Sequence, residues 1–452
     1  MRFLTLYIGC FVFSIVEAKE VFTKEHILRY LDENNPSVYS AIGKKYIYKE
    51  KEKYQLGNFD TNLAIEYDKK DYPVTEGEYF STALEKPIEN GMEFSLGYRK
   101  AEGTQEYNNI KTGDNGEVQL AVKVPLLSVI NDLSERKLNL ESARQNRKIA
   151  NSEAKNNIRL LYFDTVTAYY KLLYCKQNLQ LVNDLLNNAK RREKIIAKKV
   201  KLGSLARISN LEAKQQIINR QQQFLLTQNS YKNALENFSQ YLNIRSKIFT
   251  QAYVLPSLVE VKKKNTQSAS SLEEALENRP DLQVYDYDIK KLELKNQFVS
   301  ISKYPKINMG LYGVHDFEEE NGFKVTFDMD FPIERRKYIG KSLEIKKSIK
   351  NINQEKEKKI ITIRTELNII NNSIKTLQSN IKNAQLEVDL VEELELAENK
   401  KYEIGLSNLF MLNQREVYTL GVKKKLLKYN LEYLILQEEL NKVVAKPIDG
   451  FL

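Results

Sequence analysis

Two long stretches of the chain show apolar residues at alternating spacings of three and four. In the first, Ile158, Leu161, Thr165, Ala168, Leu172, Cys175, Leu179, Val182, Leu186, Ala189, Glu193, Ile196 and Val200 follow one another with only Thr165 and Glu193 polar. That is the 3.5-residue seam of a coiled coil. The stretch from Pro125 to Gly203 holds no other proline or glycine. As one helix it would be roughly 110 Å long at 1.5 Å per residue. The second runs through Ile360, Ile363, Leu367, Ile370, Ile374, Leu377, Ile381, Ala384, Val388 and Val391 to Gly405. Pro125 and Pro332 are separated by nearly the same distance along the chain as Gly203 and Gly405. KVKLGSLARISNLEA around the first glycine parallels KYEIGLSNLFMLNQRE around the second. Spacing and turns together predict an internal duplication of a strand, long helix, turn and return helix.

Ahead of each long helix the periodicity changes to two. Leu63, Ile65 and Tyr67 alternate with polar residues, as do Met92, Phe94, Leu96 and Tyr98. So do Val118, Leu120, Val122 and Val124, while Phe323, Val325, Phe327, Met329 and Phe331 alternate with Lys324, Thr326, Asp328 and Asp330. Turn-rich links (DKKDYP, PIENG, KTGDNG) make these hairpins. A polar row opposite an aromatic-rich row over about ten residues fits a transmembrane β-strand, and equally a half-buried strand of a soluble sheet.

The pattern divides the chain as follows. Residues 1–18 read as a signal peptide, with Arg2, an apolar middle and Val16-Glu17-Ala18 before Lys19. Tyr7 argues against Cys10 as a lipidated residue. The first repeat covers 19–243: an N-terminal helix over 23–56 interrupted at Pro36, strands about 59–124, a long helix about 127–202 and a return helix about 204–243. An irregular linker spans 244–270. The second repeat covers 271–444: a helix about 271–303, strands about 306–331, a long helix about 335–403 and a return helix about 406–444, then a tail at 445–452.

Composition changes little. The 70 basic residues are interleaved with 60 acidic ones, so the net charge of +10 reads as solvated helix surface rather than a nucleic-acid site. Cys175 is the sole thiol after signal removal and sits on the seam as a small core residue. His26 and His315 are far apart with no metal-ligand spacing, and no catalytic or nucleotide fingerprint occurs. No catalytic, cofactor or metal residue is expected, and the chain does not read as an enzyme. No later apolar run is long enough for a membrane helix. Four strands stand out and six stay open, too few for one chain to close a barrel, so several chains must share one.

The order of VPLL at 124–127, VTAYY at 166–170, Gly203 with Asn210, Leu211 and Ala213, then Arg279-Pro280-Asp281-Leu282, Tyr304-Pro305, FPI at 331–333, and Tyr402-Glu403-Ile404-Gly405 with Leu409 and Leu412 resembles the TolC-type outer-membrane factor (outer membrane efflux protein) family. The resemblance implies a homotrimer in the outer membrane of a Gram-negative envelope. Four strands per chain would enter a shared twelve-stranded barrel set in outer-membrane lipid, continuing into a periplasmic α-helical coiled-coil barrel. It implies a passive duct for tripartite efflux or type I secretion. The tips at Gly203, Ser204, Leu205, Gly405, Leu406 and Ser407 would dock a periplasmic membrane-fusion adaptor of an inner-membrane transporter. Tyr402 matches an aperture aromatic. Ser209 and Met411 stand where members often carry an aspartate, with Arg207 and Arg415 nearby, which argues against acidic gating. An extra hairpin at about 60–100 leaves four and six strands per chain both open. The competing reading is a periplasmic or surface coiled-coil scaffold, against which the matched strand segments speak. Leu205, Ile208, Leu406 and Phe410 beside the turns read either as docking contacts or as seam residues of the neighbouring helix pair.

Overall fold

The computed structural model describes residues 19–103, 111–264, 272–318 and 320–448. The expected signal peptide at 1–18 lies outside them, as do parts of the linker and tail. In chain order β1 (Glu20–Val21), α1 (Lys24–Tyr30) and α2 (Pro36–Leu56) precede four strands: β2 (Asn62–Asp71), β3 (Glu76–Pro87), β4 (Glu93–Gly103) and β5 (Glu117–Pro125). Helices α3 (Leu126–Ile130), α4 (Glu135–Lys201), α5 (Arg207–Tyr241) and α6 (Ser246–Ala252) follow, then β6 (Tyr253–Val254), α7 (Leu258–Lys264), α8 (Leu272–Asn278) and α9 (Pro280–Ile301). The chain continues through β7 (Lys306–Asp316) and β8 (Asn321–Asp330) to α10 (Arg336–Glu403) and α11 (Leu409–Val443). These elements form two compact bodies, to each of which α4 and α10 contribute residues: one from the described residues of 40–158 and 272–365, the other from those of 19–39, 159–264 and 366–448.

The first body holds a six-stranded antiparallel sheet in the order β2-β3-β4-β5-β7-β8. Of the four and six strands that the sequence leaves open, the described residues form six. The added strand β3 forms a continuous ladder with β4, from Gly77 opposite Gly103 to Pro87 opposite Glu93. Beside the sheet, Leu138, Leu140, Ala143, Ala150, Ala154 and Ile158 of α4 are buried, with Ile42 of α2 and Leu282 of α9. Arg144 and Arg147 of α4 both pair with Glu52 of α2.

Two helices expected to be continuous are broken. The first long helix stops at Ile130 because Asp132 takes a left-handed φ of 46°. It restarts behind Ser134, whose Oγ accepts the Lys137 amide at 3.1 Å and donates to the Glu89 carbonyl at 2.7 Å. The expected 271–303 helix divides at Arg279, since a residue before proline is pushed out of the helical region. Pro280 then opens α9, and Arg279 folds over it onto both carboxylate oxygens of Asp281 at 2.9 and 2.6 Å.

In the second body the long-helix seams are the core. Thr165, Leu172, Val182, Leu186 and Ile196 of α4 are buried, as are Ile370, Leu377, Ala384, Val388 and Val391 of α10. No seam residue read from the sequence is exposed. Phe22 sits in an aromatic cluster with ring centroids 5.0–5.6 Å from His26, Tyr169, Phe238, Phe249 and Tyr253. VTAYY is part of this core: Tyr169 donates to the Phe22 carbonyl at 2.8 Å and Tyr170 to Glu438 at 3.0 Å. The linker is not irregular. It supplies α6, α7 and β6, and β6 pairs in parallel with β1. Phe249 of α6 and Leu258 of α7 are buried, so apolar anchors order a segment without periodicity.

Candidate functional sites on the sheet and at the glycine turns

The sheet registers carry one alternation across all six strands. Leu63, Ile65 and Tyr67 lie opposite Leu84, Thr82 and Phe80. Leu84 and Thr82 face Leu96 and Tyr98, and Phe94, Leu96 and Tyr98 face Val122, Leu120 and Val118. Val122 and Val124 continue to Leu311 and Met309, and Ile307, Met309 and Leu311 to Met329, Phe327 and Val325. This face is a continuous apolar band, yet it is open: Leu63 is 62% exposed, Leu120 57%, Phe327 62% and Phe323 86%. Lys69, Glu78, Lys100 and Glu102 stand just past Tyr67, Phe80 and Tyr98, ending the band in charge.

The opposite face carries Glu66 and Asp68 on β2, Arg99 on β4, Glu117, Gln119 and Lys123 on β5, Asn308 on β7, and Lys324 and Asp328 on β8. Arg99 pairs with Glu117, and Lys123 with Glu93 at 3.1 Å. An exposed apolar face backed by a polar one inverts the arrangement a soluble sheet over a core would have. Strands of 9 to 12 residues are the length a tilted transmembrane strand needs. Among the described residues no helix is long and apolar enough to cross a membrane.

In the other body α4 and α10 end in equivalent turns. Gly203 takes φ 74° and Gly405 φ 84°, the left-handed region glycine enters without a Cβ clash. The Ser204 amide bonds the Lys199 carbonyl at 2.9 Å and the Gly203 amide that of Val200 at 3.1 Å. Leu406 and Gly405 repeat this to Lys401 at 2.8 Å and Tyr402 at 3.2 Å, so both are Schellman stops. Ser407 Oγ donates to Glu398, and Asn408 caps α11 by accepting the Met411 amide at 2.9 Å.

The expected tip residues separate by environment. Leu205 and Tyr402 are half-buried against one cluster of Ile196, Ala213 and Leu409. Burial pushes the Tyr402 phenol up. Leu406, Ile208 and Phe410 are exposed. Arg207 is exposed in the first turn of α5, and Arg415 is half-buried on α11. Among the described residues neither forms an ion pair with a carboxylate.

The charged centre of this body lies one position beyond Arg415. Glu416 of α11 receives Arg192 of α4 on both carboxylate oxygens, at 3.2 Å on the one that Arg220 of α5 also reaches at 2.6 Å. Asn413 accepts from both guanidiniums at 3.3 and 3.2 Å, and Arg220 also donates to the Leu185 carbonyl at 3.3 Å. Burial opposes ionisation of Glu416, but hydrogen bonds and charge from the two arginines outweigh it and hold the carboxyl below its usual range. The same burial pulls Arg220 down against the pull of Glu416. One carboxylate thus ties three helices. The sequence signal was periodicity: Ala213, Arg220 and Thr227 are a buried heptad row with a cation in its middle. Among the described residues no His, Cys, Asp and Glu group could hold a metal ion.

Comparison with known proteins gives two results. The sequence model of the outer membrane efflux protein family matches residues 93–243. No curated protein matches the sequence significantly. Among solved structures the CmeC outer membrane channel of Campylobacter jejuni is similar at TM-score 0.69 and 11% identity, over 98% of this chain and 93% of that one. VceC, an outer membrane protein of Vibrio cholerae, gives 0.68 at 12% identity over 93% and 95%. The open-state MtrE outer membrane channel of Neisseria gonorrhoeae gives 0.68 at 14% identity over 93% and 88%. The resemblance to TolC-type outer-membrane factors carried by the motifs is thus met twice, by the outer membrane efflux protein family over residues 93–243 and by the fold of such channels over nearly the whole chain.

Proposed function

We propose that this protein is the outer-membrane duct of a tripartite export system, a passive conduit energised by an inner-membrane transporter. The observation that carries the reading is the sheet: a continuous apolar face open to its surroundings, backed by a charged one, on strands of membrane-spanning length. Apolar surface of that extent favours lipid over water. Three copies would share one barrel, the apolar row towards lipid and Glu66, Arg99, Lys123 and Asp328 towards the lumen. The glycine turns, with exposed Leu406 and Phe410 beside them, would receive a periplasmic adaptor. Small-molecule efflux and type I polypeptide secretion place the same demands on such a duct.

The test is export in a deletion strain. Wild-type protein restores cargo export, whereas Leu406→Asp with Phe410→Asp abolishes it while the oligomer still assembles in the outer membrane. Both side chains are exposed, so folding is spared. Full export by an assembled double variant would refute docking at this turn. Failure of the wild-type protein to reach the outer membrane would refute the duct.

A further inference from the structure

Strands β2 and β8 each hydrogen-bond a neighbour on one side only among the described residues, so they are the two edges of the sheet. Open edges cannot remain in lipid, where each unpaired amide or carbonyl costs several kcal/mol. Six strands fall short of the roughly eight that the smallest membrane barrels need. The edges must therefore find each other on different copies. Resting on the duct reading above, we infer that β8 of one chain pairs antiparallel with β2 of a second copy, Lys324 opposite Asp68. Each chain then supplies six strands to the shared barrel, and three copies close eighteen.

The two edges are built for each other. Both are ten residues long. With six antiparallel strands per chain, β8 and the next β2 run in opposite directions, so the alternation survives closure. Apolar residues occupy the odd positions of both, and a slip of one residue would put every side chain on the wrong face. Among the remaining registers one overlaps all ten residues, Asn321 opposite Asp71 through Asp330 opposite Asn62. It sets Val325 against Tyr67, Phe327 against Ile65 and Met329 against Leu63 on the apolar face. On the polar face it sets Lys324 against Asp68 and Thr326 against Glu66. Slipping two residues one way brings Lys324 onto Lys70 and Asp328 onto Glu66. Slipping two the other way leaves Met329 and Asp330 beyond the end of β2. Like charges directly opposite destabilise a pair, which counts against the first slip, and either slip gives up two of the ten residue pairs that full overlap makes. A four-strand contribution would instead need β8 to meet β4, and the whole β3–β4 ladder would have to part. A barrel of about eighteen strands leaves an aqueous channel rather than a side-chain-filled core.

Cysteine cross-linking in outer membranes tests this. In a Cys175→Ser background, Ile65→Cys with Phe327→Cys is expected to oxidise into covalent species up to the full oligomer that collapse on reduction. The pair Leu96→Cys with Phe327→Cys is expected to stay uncross-linked. Cross-linking through the second pair, no cross-link through either pair in an assembled oligomer, or a cross-link confined to single chains would each overturn the β2–β8 junction while leaving the duct standing. A water-soluble monomer would overturn both.

Discussion

Replacing Glu416 by glutamine should loosen the helices around the second glycine turn more than any other single change of charge in that body. The carboxylate is 3% exposed and Arg220 4%, with Arg192 at 14%. Glutamine keeps the volume and one acceptor but leaves two guanidiniums facing each other without a counter-charge. Removing one partner of a buried ionic cluster costs about 3–5 kcal/mol, a factor of roughly a hundred or more in the local opening equilibrium. Membrane oligomers rarely unfold reversibly, so amide hydrogen exchange on the assembled protein is the suitable assay. Amides of α11 near residue 416 should lose protection by that factor, while those of the sheet should not change. An apolar replacement of all three, Arg192→Leu with Arg220→Met and Glu416→Leu, should recover most of the protection, because no buried charge is then left unpaired. The sign with pH follows from the depressed carboxyl. Its stabilisation is present above the unfolded carboxylate range near pH ~4.3 and is lost as pH falls through the folded value. Glu416→Gln should remove that acid-side dependence. Unchanged exchange in the single variant, or a triple variant worse than the single one, would refute the cluster as a tie.

Two further outcomes follow from local geometry. At Gly203 and Gly405 an added Cβ would meet nothing within 4 Å, so alanine should cost only the left-handed backbone penalty, about 1–2 kcal/mol each, and asparagine less; amide hydrogen exchange in the last turns of α4 and α10 reads this. On β8, Phe327→Lys should cost roughly 2–4 kcal/mol if its face meets lipid, whereas Asp328→Lys on the other face should cost little; the yield of assembled protein in the outer membrane separates them.

Much of this architecture was legible because it rests on period. Buried Leu172, Val182 and Ile196 are the seam positions themselves, and the rows of Val118 to Val124 and Phe323 to Phe331 gave the sheet its faces. Features resting on one residue's backbone were not: Asp132 and Arg279 break helices whose side-chain pattern runs on through them. Strand β3 was hidden because Tyr79, Ser81 and Ala83 blur the alternation with Phe80, Thr82 and Leu84. The linker's order comes from contacts far along the chain, such as Phe249 on Phe22, which no local pattern records. At the turns, Tyr402 and Leu205, both singled out in the sequence, pack against one cluster. Arg415 drew notice only by lying near Met411, and nothing local marked Glu416, because charges on long helices usually face water. Only their place in a heptad row distinguished Arg220 and Glu416 from the solvated majority.

The central claim is that the open apolar face of the sheet meets lipid in an assembly of several chains. Extraction of the mature protein from cell envelopes, followed by mass determination of the extracted species, tests it most directly. The account predicts that the protein sediments with outer membranes, leaves them only in detergent and then has the mass of about three chains. A monodisperse monomer released into buffer without detergent would contradict it.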